Sequence, residues 1–240
     1  MEPQIRLRDL GVAVLLIGLL ASPAAAQESD FCAAQNGQST IDRRGLAEIY
    51  CTEAPVAQRV FKGAHRTAYP VFFGAVPAAW LGAWTLRDET DFTDAYRLTL
   101  TQIATAGLTI GLKRAVGRPR PFVTLPLTAR TTESPDALGR FESFPSGHAS
   151  LSVALATSWS LSHPHWYVVA PGALWAGSVT LSRLYLGVHY PSDVLVGTLL
   201  GAGVATGIHL LRDALTPGAL RPSSSASPAG PPPITLRFQF

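Results

Sequence analysis

Long apolar segments dominate the chain between residues 67 and 212, and strand-like alternation of polar and apolar positions is nearly absent there. This pattern predicts helices at residues 68–86, 96–112, 147–161, 167–186 and 191–211. Several of these segments approach the ~20 residues that are needed to cross a bilayer. The sequence therefore predicts an all-α fold, a helical bundle of about five apolar helices, and we expect these helices to be transmembrane.

The last predicted helix contains four glycines that favour close packing against neighbouring helices, as in membrane bundles: Gly197, Gly201, Gly203 and Gly207. Between the second and third helices, residues 122–144 have no sustained periodicity, which predicts a long loop. Loops of this length are usually functional or disordered. Its position between two polar clusters makes it a candidate lid or substrate selector, with Arg130 and Arg140 as its cations.

The N-terminal residues have the features of an export signal. Residues 1–26 have a basic start, an apolar run and three alanines before Gln27, which predicts a signal peptide cleaved after Ala26. An uncleaved first transmembrane helix is the alternative. Residues 27–66 then form an exported N-terminal segment with the only two cysteines, Cys32 and Cys51. Their even number in an exported segment predicts one disulfide, although they can also remain unpaired.

The charge distribution opposes a location of residues 27–66 outside the cytoplasm. Residues 27–66 carry five basic side chains, whereas the next connection, residues 87–94, is acidic. The positive-inside rule prefers the reverse arrangement. The export signal and the cysteines outweigh the rule, because a signal acts before later loops are sorted. Residues 67–215 are expected to form the bundle. Residues 216–240 are expected to form a flexible tail, rich in Ser and Pro, that ends in a strand-like alternation.

The composition supports a membrane protein. Hydrophobic residues make up 47% of the chain and charged residues 15%, whereas about a quarter of an ordinary soluble domain is charged. The net charge of +3 is small, and no long run of Lys and Arg is present. Nucleic-acid binding therefore has little support.

Three polar clusters lie at the edges of the apolar segments. They cover residues 113–121, which begin with Lys113 and include Arg120; residues 145–148, Pro-Ser-Gly-His; and residues 182–193, which include Arg183, His189 and Asp193. Together they supply several cations, two histidines and a carboxylate one helical turn from a histidine. This inventory is typical of a site that holds a phosphoryl group and transfers it to a side chain.

The same residues resemble the three-part signature of the type-2 phosphatidic acid phosphatase superfamily. The matching pattern is Lys113 followed after six residues by Arg120-Pro121, then Pro145-Ser146-Gly147-His148, then Ser182-Arg183 with His189 and Asp193. The superfamily also includes soluble bacterial acid phosphatases and vanadium-dependent haloperoxidases. The apolar helix after Asp193 is more similar to the membrane-bound lipid phosphatases. The resemblance implies five phosphate ligands: Lys113, Arg120, Ser146, Gly147 and Arg183.

Elementary chemistry assigns compatible roles. Two guanidinium groups can grip phosphoryl oxygens in bidentate fashion, and the helix that begins near Gly147 offers backbone N–H groups. His189 is the predicted nucleophile, Asp193 fixes its tautomer, and His148 is the general acid. This scheme needs no metal and no cofactor. Taken singly, each residue can also be explained without a function. A lysine or arginine at a helix end can extend its charged group towards water, and a carboxylate is favourable in the first turn of a helix.

Other polar residues are left out of the predicted site. His65, His163, His165 and His209 are interpreted as surface histidines, and Ser182 as a structural residue. Arg114 and Arg118 are expected to add positive potential only.

The sequence therefore predicts a metal-independent phosphatase of a bacterial-type cell envelope. Its expected substrate is a phosphorylated lipid, a monoester or a diphosphate, and its active site is expected to face the periplasm or exterior. A soluble periplasmic acid phosphatase and a vanadium-dependent haloperoxidase are the enzymatic alternatives. A non-enzymatic membrane protein that binds phosphorylated lipids is a third. The identity of the lipid and the oligomeric state stay open.

Overall fold

In a computed structural model of the chain, residues 31–33, 40–86, 89–131, 134 and 136–220 are described. The predicted signal peptide and the strand-like C-terminal end lie outside these residues. Within them, the regular elements are α1 (Ile41–Tyr50), α2 (Pro55–Leu86), α3 (Glu89–Val116), α4 (Pro121–Thr124), α5 (Gly147–Ser162), α6 (Trp166–Tyr185), α7 (Pro191–Leu210), α8 (Arg212–Leu215) and a 3₁₀ turn, Gly218–Leu220. The described part of the chain contains no strand, which confirms the all-α prediction.

Several helices differ from the sequence prediction. Helix α3 begins at Glu89 rather than at residue 96, so it takes in part of the predicted acidic connection at residues 87–94. Helix α2 begins at Pro55, well before the predicted start at residue 68, and runs without a break past residue 66. Helix α1 was not predicted, because residues 27–66 are polar and mixed in charge. Its buried side comprises only Leu46, Ala47 and Tyr50, which is too few apolar residues for a clear helical period. The division between residues 66 and 67 remains a prediction.

The closest helix contact joins α5 and α7. A Cβ added at Gly197 would lie 2.6 Å from the carbonyl oxygen of Ser146, and one added at Gly201 would collide with the carbonyl oxygen of Ser150. Glycine at these two positions lets the backbones touch. Gly203 has no neighbour within 4 Å, and the same is true of Gly207. Only two of the four glycines therefore serve the predicted packing.

Helix α1 is fastened to the bundle at the end where the polar clusters lie. A disulfide joins Cys32 to Cys51, with the two Cα atoms 5.6 Å apart, which confirms the predicted bridge. Tyr50 is fully buried, and its hydroxyl donates a hydrogen bond to the carbonyl oxygen of Thr128 at 3.0 Å. The hydrogen bond of Tyr50 therefore ties α1 to the domain, and the disulfide ties residue 32 to the end of α1.

The turn between α6 and α7 is the most tightly packed part of this end. Residues 182–190 are all buried. Gly187 adopts a φ of 69°, and a Cβ there would lie 2.9 Å from Leu127 Cδ1 and Tyr50 Cε2. A residue with a side chain would therefore be both strained and crowded. This turn fixes the position of His189.

By length and composition, one helix of the described residues qualifies as a candidate membrane span, Pro191–Leu210. The other helices expose many large apolar side chains, including Phe73, Trp84, Ile103, Trp166 and Leu174. Monomeric soluble proteins rarely expose large contiguous apolar surfaces.

The packing of α5 against α7 predicts opposite effects for two glycine substitutions. Gly201→Ala places a methyl group against main-chain atoms of Ser150 and Ala154, which cannot rotate away. We expect a loss of about 1–3 kcal/mol, as for an overpacked core. Gly203→Ala on the same helix meets open space and should gain about 0.5–1 kcal/mol from helix propensity. Thermal unfolding of the purified protein measures both, and equal effects would contradict this packing.

Candidate active site

The three sequence clusters meet at one end of the bundle. They come from the C-terminal ends of α3 and α6 and the N-terminal ends of α5 and α7. A cavity of about 290 Å³ opens between them. Its lining includes most of the predicted site, namely Lys113, Arg120, Gly147, His148, Arg183 and His189. The structure therefore brings together residues that lie far apart in the sequence.

His189 lies between Arg120 and Asp193. Its Nε2 atom is 3.1 Å from Arg120 Nη1, and its Nδ1 atom is 3.7 Å from Asp193 Oδ2. A guanidinium group has no acceptor, so Nε2 must accept and the proton of the neutral ring is assigned to Nδ1, on the side of Asp193. Burial lowers the pKa of His189 to about 3; Asp193 opposes this shift, and the charges of Arg120 and Lys113 add to it. The ring is therefore neutral near pH 7, with its Nε2 lone pair on the cavity side.

Asp193 is fully buried in the first turn of α7. Its Oδ2 atom accepts from the Ser143 hydroxyl at 2.5 Å and from the backbone N–H of Tyr190 at 2.8 Å. Its Oδ1 atom accepts from Arg118 Nη1 at 2.5 Å. These donors hold the carboxylate ionised and oriented, so that Oδ2 is the oxygen that faces His189.

Arg120 is held largely by main-chain carbonyl groups. Its Nε donates to Gly139 at 2.9 Å, its Nη1 to Val188 at 3.0 Å and its Nη2 to Leu138 at 2.6 Å. Carbonyl oxygens orient a guanidinium group without cancelling its formal charge. Arg120 therefore presents a fixed positive charge beside His189.

Two further cations complete the cradle. Arg183 is 3% exposed, and its Nη2 lies 2.8 Å from the Ser182 hydroxyl and 2.8 Å from His65 Nδ1. Lys113 Nζ donates to the carbonyl oxygen of Glu142. Three cations around one small cavity form a site for a multiply charged anion such as a phosphoryl group.

His148 is the second residue of α5 and lies against aromatic rings of α2. Its ring centroid is 5.0 Å from that of Tyr69 and 5.7 Å from that of Phe72. Its Nε2 atom is buried and has no hydrogen-bond partner within the described part of the chain. A buried ring nitrogen without a partner at the wall of a polar cavity is well placed to exchange a proton with a ligand.

Ser146 and Gly147, both predicted phosphate ligands, differ in their position relative to the cavity. Ser146 is buried and caps α5, where its hydroxyl accepts from the backbone N–H of Ala149 at 3.5 Å. It is not among the residues that line the cavity. Gly147 does line the cavity, and it opens the helix whose N-terminal N–H groups favour anions. Ser146 therefore serves as the helix cap, whereas its role as a phosphate ligand stays a prediction.

Two residues that contact the predicted site residues were not predicted from the sequence to belong to the site. His65 is not a surface histidine, because it contacts Arg183 and lines the cavity. Arg118 does more than add potential, because it is paired with Asp193 and with Asp42 of α1. No local pattern marked the role of Arg118, because its carboxylate partners lie 75 and 76 residues away in the sequence. No local signal marked His65.

The long loop at residues 122–144 forms part of the cavity wall. It begins with the short helix α4, and Thr131, Ala137, Leu138 and Glu142 line the cavity. Arg130 is not a ligand candidate, because its guanidinium lies 3.9 Å above the ring of Tyr50 and donates to the Tyr50 carbonyl oxygen at 2.6 Å. The side chain of Arg140 is exposed. A selector role for the loop fits its place in the wall.

Within the described residues, no group of three or more His, Cys, Asp and Glu side chains is arranged to hold a metal ion. A neutral imidazole faces three cations, a carboxylate supports it from behind, and a second imidazole lies across the cavity. Such a site can bind a phosphoryl group, accept it on nitrogen and exchange a proton with the leaving oxygen.

Known proteins share both the sequence pattern and the fold. Over 137 residues the chain is 31% identical to the lipid A 1-phosphatase of Rhizobium johnstonii. The matched region covers 53% of this chain and 46% of that protein. The chain spans about half the length of the curated relatives it matches.

Two solved structures have the same fold. Aquifex aeolicus LpxE superposes with a TM-score of 0.58 at 24% identity, over 70% of this chain and 94% of its own. The first transmembrane PAP2-type phosphatidylglycerolphosphate phosphatase from Bacillus subtilis superposes with a TM-score of 0.55 at 20% identity, over 85% of this chain and 93% of its own.

The sequence model of the PAP2 superfamily matches residues 95–217. This range includes all three polar clusters and the helices that carry them, α3 to α7. Because the match covers just over half of the chain and contains the whole cation cradle, the protein belongs to the PAP2 superfamily.

Proposed function

We propose that this protein is a phosphatase that hydrolyses a phosphomonoester or diphosphate of a lipid through a phosphohistidine intermediate. The observation that carries the proposal is the convergence of two imidazoles and three cations on one cavity. Membership of the PAP2 superfamily supports the same chemistry. The names of a relative, a lipid A 1-phosphatase, and of a structural neighbour, a transmembrane phosphatidylglycerolphosphate phosphatase, support a lipid substrate.

Binding places the phosphoryl group among Lys113, Arg120 and Arg183. The charge of the group is spread over three oxygens, which these cations and the N–H groups at the start of α5 can share. In the structure, Arg120 Nη1 donates to His189 Nε2. When an oxygen of the phosphoryl group takes this donor, the Nε2 lone pair becomes available for attack.

The first chemical step transfers the phosphoryl group to His189. Nε2 attacks phosphorus in line, the N–P bond forms and the bond from phosphorus to the leaving oxygen breaks. His148 donates a proton to that oxygen as it leaves. The ring of His189 gains positive charge, which the carboxylate of Asp193 stabilises from the Nδ1 side. The distance of 3.7 Å between Nδ1 and Oδ2 is long for a hydrogen bond, and we expect it to shorten as the ring becomes cationic.

The second step uses the same residues in reverse. His148, now without its proton, accepts a proton from a water molecule, whose oxygen attacks phosphorus opposite Nε2. The N–P bond breaks, inorganic phosphate is released and His148 is protonated again. Neither step requires a metal ion, because Lys113, Arg120 and Arg183 stabilise the charge on the transferring group.

We place α2, α3, α5, α6 and α7 across a membrane, with the cavity at one face. The exposed apolar side chains of α2 and α3 and the apolar character of α7 support this arrangement. The orientation is supported by α1, which packs at the same end as the cavity. Its disulfide is stable in oxidising compartments outside the cytoplasm. The active site then faces the periplasm or exterior, where lipid headgroups reach it from the bilayer surface.

Removal of the nucleophile tests the function. We expect His189→Ala to lower phosphate release from lipid phosphates at least about 10³-fold, because no other group can form the covalent intermediate. Phosphate release is measured with the purified full chain in detergent, across lipid monoesters, lipid diphosphates and soluble monoesters, with a chelator present. His165→Ala, which changes an exposed histidine, is the control. Turnover that survives in His189→Ala would refute the nucleophile, and a preference for soluble esters would refute the lipid.

The role of His148 predicts a dependence on the leaving group. With an alkyl phosphate we expect His148→Asn to lose about 10²–10⁴-fold in rate, the range for a general acid. With p-nitrophenyl phosphate, whose leaving group needs no proton, the first step survives and only hydrolysis of the phosphohistidine is slow. Stopped-flow absorbance should then show a burst of one nitrophenol per enzyme. Equal losses on both substrates, without a burst, would contradict the assignment.

A further inference from the structure

Asp42 connects the disulfide-bonded helix α1 to the start of α7. Its Oδ1 atom accepts from the backbone N–H of Ser192 at 2.9 Å, and its Oδ2 atom accepts from the Ser192 hydroxyl at 2.7 Å. The same Oδ2 atom accepts from Arg118 Nη2 at 2.8 Å. The residues matched by the superfamily model begin at 95, so Asp42 lies outside them. An element beyond the common domain therefore contacts the residue next to Asp193.

Arg118 extends this contact to the carboxylate behind the nucleophile. Its Nη1 atom donates to Asp193 Oδ1 at 2.5 Å, while its Nη2 atom is taken by Asp42. Its guanidinium also lies 4.3 Å above the ring of Tyr190, which restricts its orientation. The result is a continuous chain of alternating charge, from Asp42 through Arg118 and Asp193 to the imidazole of His189.

We propose that Asp42 is a positioning residue of the phosphatase: through Arg118 it sets the orientation and effective charge of Asp193. The inference rests on the proposed function, in which Asp193 stabilises the cationic ring of His189. Asp42 touches neither the cavity nor the substrate, so its effect is on the stability of the phosphorylated state rather than on phosphate binding.

The sign of the effect follows from the charges. With Asp42 present, the positive charge of Arg118 is shared between two carboxylates, and Asp193 keeps more of its negative field for His189. Burial would raise the pKa of Asp42, but hydrogen bonds from Arg118 and Ser192 outweigh burial and lower it, so the group is ionised near pH 7. Without the charge of Asp42, the charge of Arg118 compensates more of the negative charge of Asp193. Asp193 then stabilises the positive charge on His189 less, and the phosphohistidine becomes less stable.

Asp42→Asn isolates this charge, because asparagine keeps an oxygen for the backbone N–H of Ser192. We expect kcat to fall about 10-fold, as when a partner that orients an active-site group is removed, with KM and the inhibition constant of orthophosphate nearly unchanged. Orthovanadate, which mimics the phosphorus centre during attack by the imidazole, should bind about 10-fold more weakly. Glu48→Gln is the matched control, since it removes one exposed carboxylate from the same helix.

A double substitution tests whether Asp42 acts through Arg118. In an Arg118→Met background, Asp42→Asn should cause no further loss of kcat, because the path between the carboxylates is already broken. Independent, additive losses would overturn the proposal. So would equal kcat values for Asp42→Asn and Glu48→Gln, or orthophosphate and orthovanadate weakened alike.

A failure of the proposed function can be told apart from a failure of this inference. If the wild type releases no phosphate from any ester, the proposed function is wrong. The role of Asp42 is then decided by vanadate binding, measured by vanadium NMR, which needs no turnover. If Asp42→Asn does not fold by circular dichroism, Arg118→Lys examines the centre of the same chain. Lysine keeps the charge but cannot bridge two carboxylates, so the same selective loss of kcat is expected.

His65 supports a second inference from an independent contact. Its Nδ1 atom lies 2.8 Å from Arg183 Nη2, and because the guanidinium can only donate, Nδ1 accepts and the ring is neutral. We infer that His65, on α2, orients the guanidinium group of Arg183 towards the phosphoryl group. This inference also rests on the proposed function. His65, like Asp42, precedes the residues matched by the superfamily model.

Two substitutions separate the hydrogen bond from the bulk of the ring. His65→Asn keeps an acceptor near the position of Nδ1, and His65→Leu does not. We expect His65→Leu to weaken orthophosphate binding, and to raise KM, about 10-fold, the value of a hydrogen bond to a charged group, with a smaller change in kcat. His65→Asn should lie closer to the wild type. His209→Leu, at the opposite end of the bundle, is the control.

Calorimetric binding of orthophosphate gives this result without turnover, so the outcome does not depend on the phosphatase reaction. In an Arg183→Lys background the effect of His65→Leu should disappear, because the group that His65 aims has been replaced. Equal behaviour of the asparagine and leucine variants, or a loss that persists in the lysine background, would overturn the inference.

Discussion

The buried carboxylate of Asp193 constrains the whole site. An ionised carboxylate without solvent costs several kcal/mol unless donors replace the water. Ser143, Tyr190 and Arg118 supply these donors from three separate parts of the chain. Each donor has to be placed within hydrogen-bond distance, so the loop before α5, the start of α7 and the residues after α3 are fixed relative to one another. The position of His189 follows, because its backbone lies one turn before Asp193.

The bundle meets this requirement by bringing helix ends to one face. Gly197 and Gly201 let α7 contact α5 at backbone distance, which sets the separation between the residues at the N-terminal ends of these helices, His148 and Asp193. The C-terminal ends of α3 and α6 bring Lys113 and Arg183 to the same face. Catalytic groups on helix ends are held by the packing of entire helices, which is more exact than positioning by free loops.

The sequence predicted the helical class, the disulfide and most of the residues around the cavity, because these depend on local patterns and on three motifs. Helix α1 was missed because its apolar face is short. Asp42 and Arg118 are separated by 76 residues, and Asp42 and Ser192 by 150. Contacts at such separations depend on how helices pack, which no local pattern records. His65 was misjudged for the same reason: an isolated histidine on an apolar helix shows no partner until α6 is packed against α2.

Arg118 and Arg120 show how two neighbouring cations acquire different functions. Arg118 donates to the carboxylates of Asp193 and Asp42, whereas Arg120 donates to main-chain carbonyls. Arg118, paired with Asp193 and Asp42, has its charge largely compensated and acts as a structural link. Arg120, oriented by neutral carbonyl groups, keeps its field for an anion in the cavity. A carboxylate on Arg120 in place of those carbonyls would compete directly with phosphate. The separation of the two cation environments, rather than the number of cations, therefore lets the cavity carry positive charge while Asp193 stays paired with Arg118 behind His189.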